Sequence, residues 1–260
     1  MTRVGVFGAA GRMGRTVCEA VAADPDLELV AAIDPTFDSS RAPLGDGLGS
    51  VRSASHADAL LDAGAEVVVD FTVAEAARSN LAFAAQHGLH AVVGTTGLSE
   101  EDLARIEADL TRSSCLVAAN FAIGAVLMMR FAELAAPWFE TAEIVELHHD
   151  AKVDAPSGTA IRTADRMAAA SDEWARDPTT SRVLDGARGA EGAGGIPIHS
   201  VRLRGLFAHQ EVLLGTAGQT LSIRHDTYDR TCYMPGVLLA IKHVHERPGL
   251  TLGLDALLDL

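Results

Sequence analysis

The chain has 260 residues, 48% of them hydrophobic, which is enough for one large or two small buried cores. Its 21 lysines and arginines stand against 35 aspartates and glutamates, which leaves a formal net charge of -14. Broad binding to nucleic acid or to an anionic membrane needs basic patches, so this composition argues against both partners. An anionic ligand would need a local binding site.

Other features predict a soluble cytoplasmic protein. The cysteines, Cys18, Cys115 and Cys232, lie far apart and lack a metal-ligand spacing, as expected in a reducing compartment. The amino terminus enters a strand pattern at once, without the apolar segment and cleavage site of a signal peptide. The uncharged run 115–129, which Asn120 interrupts, falls short of the roughly 20 residues that a membrane span needs.

The first 120 residues alternate short apolar runs with amphipathic segments. Continuously apolar runs are typical of strands buried on both faces of a parallel sheet. They predict strands at 3–8, 27–34, 65–72, 90–97 and 115–120. The segments between them predict helices at 12–23, 56–63, 74–87 and 100–111. This series predicts an α/β fold with a Rossmann-type doubly wound parallel sheet.

After Asn120 the pattern changes. Helices are expected at 123–139 and 157–170, a strand with one exposed face at 141–149, and a Gly-rich loop at 185–195. Three further alternating runs follow, at 196–204, 209–216 and 220–227. Short Gly-containing turns separate them, which predicts an inserted α+β domain with a mixed, largely antiparallel sheet. A last helix, from 235 to about 246, is expected to pack on the first domain.

The segment "GAAGRMG" places Gly8, Gly11 and Gly14 between the first strand and the first helix. Glycines there let the backbone approach a pyrophosphate, which then meets the N–H groups at the positive end of the helix. The spacing is GxxGxxG rather than GxGxxG, and a glycine-rich turn alone also fits an ordinary strand-to-helix connection. The context favours dinucleotide binding, because an acid follows at the end of the second strand.

That acid is Asp34, which can accept hydrogen bonds from the adenosine ribose. Its carboxylate repels a 2′-phosphate, and Pro35 and Thr36 add no positive charge beside it. NADH is therefore expected to bind at least as well as NADPH, although Arg12 offers a possible phosphate partner for NADPH. Segments 94–97 and 118–121 end the fourth and fifth strands, at the edge where open α/β sheets bind ligands.

The segment "ELHHDAKVDAPSGTA" gathers proton carriers and hydrogen-bond donors at 146–160. His148 and His149 point to opposite faces of an extended strand, so a shared metal ion is not expected. Either histidine alone could be structural. Together with Lys152 they can supply protons and attract carboxylates, and a helix capped by Ser157 would add an anion site in its first turn.

These motifs resemble those of the 4-hydroxy-tetrahydrodipicolinate reductase family, also called dihydrodipicolinate reductases, of the diaminopimelate route to lysine. "GAAGRMG", "VVGTTG", "AANFAIGA", "GIPIHSVRL" and above all the HHxxKxDxPSGTA string carry the resemblance, which covers nearly the whole chain. It implies a Rossmann domain at 1–120 completed by 231–260, and an inserted domain at 121–230 that binds substrate and forms a homotetramer. It also implies NAD(P)H-dependent reduction of the hydroxylated cyclic imine, a small dicarboxylate, to tetrahydrodipicolinate and water.

The resemblance also implies roles for individual residues. His148 and Lys152 would be catalytic, and which of them delivers the proton stays open. His149, Gly158 and Thr159 would bind the substrate carboxylates. The cofactor would contact Gly8, Ala9, Ala10, Gly11, Arg12, Met13, Asp34, Gly94, Thr95, Thr96, Ala118, Ala119, Asn120 and Phe121. Pro35 departs from the basic residue that often follows the acid in members preferring NADPH, which puts such a preference in doubt.

Two other functions remain open on the sequence. One is a different nicotinamide oxidoreductase, such as an amino-acid or sugar dehydrogenase, with Lys152 as its base. The other is a dinucleotide-sensing regulator, which would bind NADH without substrate-dependent oxidation.

Overall fold

The computed structural model describes residues 1–37 and 51–258 of the chain. It contains two compact units. The first comprises Met1–Ile123 and Tyr233–Leu260, and the second comprises Gly124–Cys232. The chain therefore leaves the first unit after Ile123 and returns to it at Tyr233.

The first unit is built on a seven-stranded parallel sheet. Numbered along the whole chain, its strands are β1 (Thr2–Phe7), β2 (Leu27–Ile33), β3 (Arg52–Ala54), β4 (Val67–Asp70), β5 (His90–Val93), β6 (Ser114–Val117) and β12 (Gly249–Leu252). They lie in the order β12-β6-β5-β4-β1-β2-β3, and every pair is parallel. From β1 the order runs one way to β3 and the other way to β12, which confirms the predicted doubly wound sheet.

Five of the described helices belong to this unit: α1 (Arg12–Ala23), α2 (Asp58–Asp62), α3 (Ala74–His87), α4 (Glu100–Asp109) and α7 (Met234–His243). Their apolar stripes bury side chains such as Val17 and Val21 of α1, which have no exposed surface. A capping box opens α4, because the Ser99 hydroxyl accepts from the Asp102 N–H and the Asp102 carboxylate accepts from the Ser99 N–H.

Two edge strands of this sheet were not predicted. β3 has three residues and β12 has four, and both are partly exposed, so neither shows the buried apolar run of the central strands. β12 pairs in parallel with β6, from Gly249 opposite Ser114 to Leu252 opposite Val117. The carboxyl-terminal segment after α7 thus adds a strand to the sheet, where only the end of a helix was expected.

The second unit carries a five-stranded mixed sheet in the order β11-β10-β7-β9-β8. Its strands are β7 (Thr141–His148), β8 (Ala190–Glu191), β9 (Pro197–Arg202), β10 (Ala208–Thr216) and β11 (Gln219–Thr227). Its helices are α5 (Ile123–Ala135), which starts at the last residue of the first unit, and α6 (Gly158–Ala170). All pairs are antiparallel except β7 with β9, so the predicted mixed, largely antiparallel sheet is confirmed.

Three details of this unit differ from the prediction. β9 and β10 are not neighbours, because β7 lies between them and pairs with both. The helix expected over 123–139 ends at Ala135 and continues as a short 3-10 turn, Ala136–Trp138, where Pro137 lacks the N–H that an α-helix needs. The loop at 185–195 is not wholly irregular, since β8 and a 3-10 turn, Ala193–Gly195, lie within it.

Candidate active site

The glycine loop connects β1 to α1, and each of its three glycines has a different role in the turn. Gly8 has a φ of +68°, a conformation that side chains disfavour. Gly11 is the residue before α1, and its N–H donates to the Gly8 carbonyl at 2.9 Å. A Cβ on Gly14 would lie only 2.1 Å from the same carbonyl oxygen. The first turn of α1 therefore packs directly on the loop, as in a pyrophosphate-binding turn.

Asp34 follows β2 and is bonded to this loop. One carboxylate oxygen accepts from the Ala10 N–H at 3.0 Å, and the other accepts from the N–H and hydroxyl of Thr36 at 3.0 and 2.6 Å. Asp34 is thus both a turn residue and a support for the loop, and only 7% of it is exposed. Because each carboxylate oxygen can accept about two hydrogen bonds, the group keeps acceptor capacity for a ribose hydroxyl.

A second aspartate, Asp70, occupies the equivalent place at the end of β4 and was missed in the sequence analysis. It is fully buried. One of its oxygens accepts from the N–H and hydroxyl of Thr72 and from the Thr95 hydroxyl, and the other accepts from the Asn80 amide. Asp70 therefore anchors the segment after β5. The signal was available, because "DFT" repeats the Asp-x-Thr pattern of "DPT" at Asp34.

The segment after β5, Gly94 to Thr96, passes close to an aromatic pair. A Cβ on Gly94 would lie 2.0 Å from the ring of Phe71, and that ring is 5.5 Å from the ring of Phe121 between centroids. The Ala118 N–H donates to the Val93 carbonyl at 3.0 Å, which joins the segments after β5 and β6.

All the predicted cofactor residues therefore follow the carboxyl ends of strands in one parallel sheet. Gly8 to Met13 follow β1, Asp34 follows β2, Gly94 to Thr96 follow β5, and Ala118 to Phe121 follow β6. The winding of the sheet reverses between β1 and β4, and open α/β sheets bind nucleotides outside such a point. Some of these residues are buried, such as Ala9, Thr95 and Phe121, while Arg12, Thr96 and Ala119 are exposed.

In the second unit, His148 ends β7 and contacts a buried carboxylate two residues earlier. Its Nδ1 lies 2.5 Å from Oε2 of Glu146, which has no exposed surface. The two side chains share a face of the strand because residues i and i+2 point the same way. Arg202 of β9, the register partner of His148, donates to both Glu146 oxygens at 2.8 and 2.9 Å.

The first turn of α6 is tied to the same carboxylate. The Ser157 N–H donates to Oε1 of Glu146 at 3.2 Å, and the Ser157 hydroxyl accepts from the Ala160 N–H at 3.2 Å. Ser157 is therefore the helix cap, as predicted, and Gly158 and Thr159 open the helix. A helix amino terminus attracts anions through its N–H groups and its dipole.

Lys152 lies in the loop between β7 and α6, with 20% of its side chain exposed. Its ammonium group contacts both oxygens of Asp154 at 2.7 Å, and hydrogen bonds from Lys152 lower the pKa of that carboxyl. Arg202 also donates to the Asp154 carbonyl at 2.6 Å. His149 lies beyond the last residue of β7 and is exposed, while its N–H donates to the Phe207 carbonyl at 3.4 Å.

Within this unit the structure brings together three predicted features: His148, the start of α6 and the loop that carries Lys152. The sequence analysis missed the two residues that join them, Glu146 and Arg202. Across residues 1–37 and 51–258, no cluster of three or more His, Cys, Asp or Glu side chains could hold a metal ion. In the same ranges, no helix has the length and apolar character needed to cross a membrane.

Comparison with known proteins gives the same family for both parts of the chain. Residues 2–121 match the family model for the dihydrodipicolinate reductase N-terminus, and residues 124–258 match the model for its C-terminus. The chain is 50% identical over 262 residues to 4-hydroxy-tetrahydrodipicolinate reductase of Mycobacterium sp. (strain KMS), with 99% of each chain covered. It is 51% identical over 264 residues to the protein of that name from Nocardia farcinica (strain IFM 10152), again with 99% of each covered.

A solved structure agrees with these matches. Dipicolinate-bound dihydrodipicolinate reductase from Paenisporosarcina sp. TG-14 is 39% identical to the chain, with a TM-score of 0.87, and the match covers 98% of this chain and 99% of that one. The chain therefore belongs to the 4-hydroxy-tetrahydrodipicolinate reductase family of oxidoreductases.

Proposed function

We propose that this chain reduces 4-hydroxy-tetrahydrodipicolinate to tetrahydrodipicolinate and water with NAD(P)H, in the diaminopimelate route to lysine. The first unit binds the dinucleotide, and the second binds the substrate and self-associates as a homotetramer. One observation supports the proposed substrate site: Glu146 hydrogen-bonds both His148, one of the two candidate acids, and the Ser157 N–H at the start of α6. One carboxylate thereby holds a proton carrier and an anion-binding helix terminus. Reduction of an imine that carries two carboxylates needs both a proton and a binding site for anions.

The edge of the parallel sheet supports dinucleotide binding. The close packing of α1 on the glycine loop leaves backbone, rather than side chains, beside the first turn of the helix. Asp34 accepts from Ala10 of that loop and would accept from a ribose hydroxyl. Its negative charge disfavours a 2′-phosphate at the same place, so NADH binds at least as well as NADPH.

Features of the second unit favour a dicarboxylate as the substrate. The dipicolinate bound to the Paenisporosarcina relative is a small aromatic dicarboxylate. In this chain, with its net charge of -14, carboxylates need local positive potential. Lys152 and the amino terminus of α6 supply it, and we assign carboxylate binding to His149, Gly158 and Thr159.

The reaction consumes one hydride and one proton. When bound, a nicotinamide dinucleotide would supply the hydride for ring carbon four of the conjugated imine that forms when the substrate loses water. Hydride addition leaves an electron-rich enamine, which takes its proton from His148 or Lys152. Either group can act, because both imidazolium and ammonium are acids when their pKa values suit the working pH.

Purified protein, NADH or NADPH and the cyclic imine generated in situ test this proposal. We expect oxidation of the dinucleotide that depends on the imine, and a large loss of kcat in His148→Gln or Lys152→Ala. General acid catalysis contributes about 10²- to 10⁴-fold, which bounds the expected loss. Activity on an amino acid or sugar without activity on the imine would instead indicate a different dehydrogenase. NADH binding without any turnover would indicate a regulator.

A further inference from the structure

We infer that Glu146 is the positioning residue of His148, one of the two candidate acids: it holds a proton on Nδ1 of His148 and leaves Nε2 as the nitrogen that exchanges protons with the substrate. The inference rests on the proposed function, since it assigns the orientation of a group that function uses. It concerns a side chain that does not itself touch substrate or cofactor.

The surroundings of Glu146 fix its orientation. It has no exposed surface and lies on β7, the central strand of its sheet. His148 and Arg202 contact Oε2, while Arg202 and the Ser157 N–H contact Oε1. The hydroxyl of Ser200, its register partner on β9, also donates to it. Both oxygens are therefore held from two strands and from the start of a helix, which leaves the carboxylate a single orientation.

The ionisation of Glu146 determines which His148 nitrogen carries a proton. Burial raises the pKa of the Glu146 carboxyl, but hydrogen bonds from His148, Arg202 and Ser200 outweigh burial and lower the pKa to about 2. Near neutral pH the group is a carboxylate, which can only accept hydrogen bonds. Nδ1 of His148, 2.5 Å away, must then be the donor. Nε2 is a proton acceptor in the neutral ring and a proton donor in the imidazolium.

The same carboxylate links the acid to the proposed anion site. Oε1 accepts from Ser157, whose hydroxyl caps α6, so a shift of Glu146 would displace the imidazole and the helix start together. Arg202 balances the buried negative charge and also bonds the Asp154 carbonyl, in the loop that carries Lys152. The Glu146–Arg202 ion pair therefore contacts both His148 and the loop that carries Lys152.

β7 also provides a matched control. Glu143 lies three residues earlier, on the opposite face of the strand, and binds a histidine and an arginine in the same way. Its Oε2 lies 2.5 Å from Nε2 of His199, and its Oε1 accepts from Arg188. Glu143→Gln thus removes a carboxylate from a similar cluster on the same strand but outside the candidate active site.

The experiment compares Glu146→Gln with Glu143→Gln in the full-length protein. ¹⁵N spectra of histidine-labelled protein distinguish protonated from unprotonated ring nitrogens, and His148→Gln identifies the His148 signals. In the wild type and in Glu143→Gln we expect neutral His148 to carry its proton on Nδ1. In Glu146→Gln we expect Nε2 to become protonated in a substantial fraction, because an amide both donates and accepts.

Turnover gives the second measurement. We expect kcat of Glu146→Gln to fall about 10- to 100-fold, the size of the loss when the hydrogen-bond partner of a metal-bound histidine is removed. The Kd for NADH should stay within about twofold of the wild-type value, and kcat of Glu143→Gln should be unchanged. An unaltered His148 tautomer in Glu146→Gln, or an equal kcat loss in both variants, would overturn the inference.

Glu146→Gln leaves Arg202, a largely covered side chain with 19% exposure, without its counter-charge and can for that reason fail to fold. The double variant Glu146→Gln/Arg202→Met removes both charges, and Arg202→Met alone is its reference. The tautomer should change in the double variant and not in the reference, and identical spectra would contradict the role of Glu146. The spectra do not depend on turnover, so they test Glu146 even if His148→Gln retained full activity and thereby excluded His148 as the acid.

Discussion

Replacement of Gly14 by alanine should separate cofactor binding from folding. A helix interior normally gains about 1 kcal/mol from this change, because glycine loses more backbone entropy on folding than alanine. Here the new Cβ would lie 2.1 Å from the Gly8 carbonyl oxygen and 2.7 Å from the Gly8 carbonyl carbon. Ordinary contacts begin at 3.4 Å, so α1 and the loop must separate by about 1.3 Å.

The steric cost should exceed the gain in helix propensity. Overpacking of this kind costs about 1–3 kcal/mol, and both colliding groups are backbone that cannot rotate away. If the displaced loop must be restored before the dinucleotide can bind, the same energy weakens NADH binding by roughly 5- to 140-fold. The free energy of unfolding should fall less, because the loop can relax in the unbound protein.

The control is Gly5→Ala in β1. Its Cβ would approach Cδ2 of Leu60, also at 2.1 Å, but this contact is with the end of a flexible side chain. We compare the two variants by their NADH affinity, measured by calorimetry, and by their urea unfolding. Gly5→Ala should lower the unfolding free energy and leave the NADH Kd unchanged, whereas Gly14→Ala should weaken NADH. Wild-type affinity in a folded Gly14→Ala protein would refute this account of the loop.

Three further predictions concern charged residues. Lys152→Ala should lower kcat strongly and leave the NADH Kd nearly unchanged, as measured by stopped-flow fluorescence, because Lys152 lies in the second unit. Asp34→Ala should weaken the binding of NADH more than that of NADPH in equilibrium titrations. Equal weakening would mean that Asp34 acts only as a turn residue. The Glu146 pKa falls from 4.5 to about 2 on folding, so its contribution of roughly 3 kcal/mol is present above pH 4.5 and lost as the pH falls toward 2. Urea midpoints of the wild type should therefore drop over that range more than those of Glu146→Gln/Arg202→Met.

The central strands could be predicted from sequence because strands buried on both faces consist of consecutive apolar residues. β4 reads "VVVD" and all four residues are buried. The edge strands β3 and β12 could not be predicted this way, since a short strand with one free edge needs no such run. The position of β7 between β9 and β10 could not be predicted from sequence either, because pairing of residues distant in sequence depends on tertiary packing rather than on local turns.

The candidate site, too, could be predicted from sequence only in part. The order of strand, glycine loop, helix, strand and acid predicted that Asp34 and the loop would serve one dinucleotide, and Asp34 does accept from Ala10 of that loop. Glu146 was not predicted, because a glutamate in an alternating strand normally points to solvent. Its burial is tolerated only because Arg202, 56 residues later, becomes its partner through the β7–β9 register. A buried charge of this kind can be recognised only when its distant counter-charge is known.

Dinucleotide oxidation in the presence of the cyclic imine tests the central claim most directly. With purified protein, NADH and imine generated in situ, we expect the NADH absorbance to fall only when both protein and imine are present. The rate should drop by about 10²-fold or more in His148→Gln or Lys152→Ala. A folded protein that binds NADH but does not oxidise it with the imine would contradict the proposed reductase function.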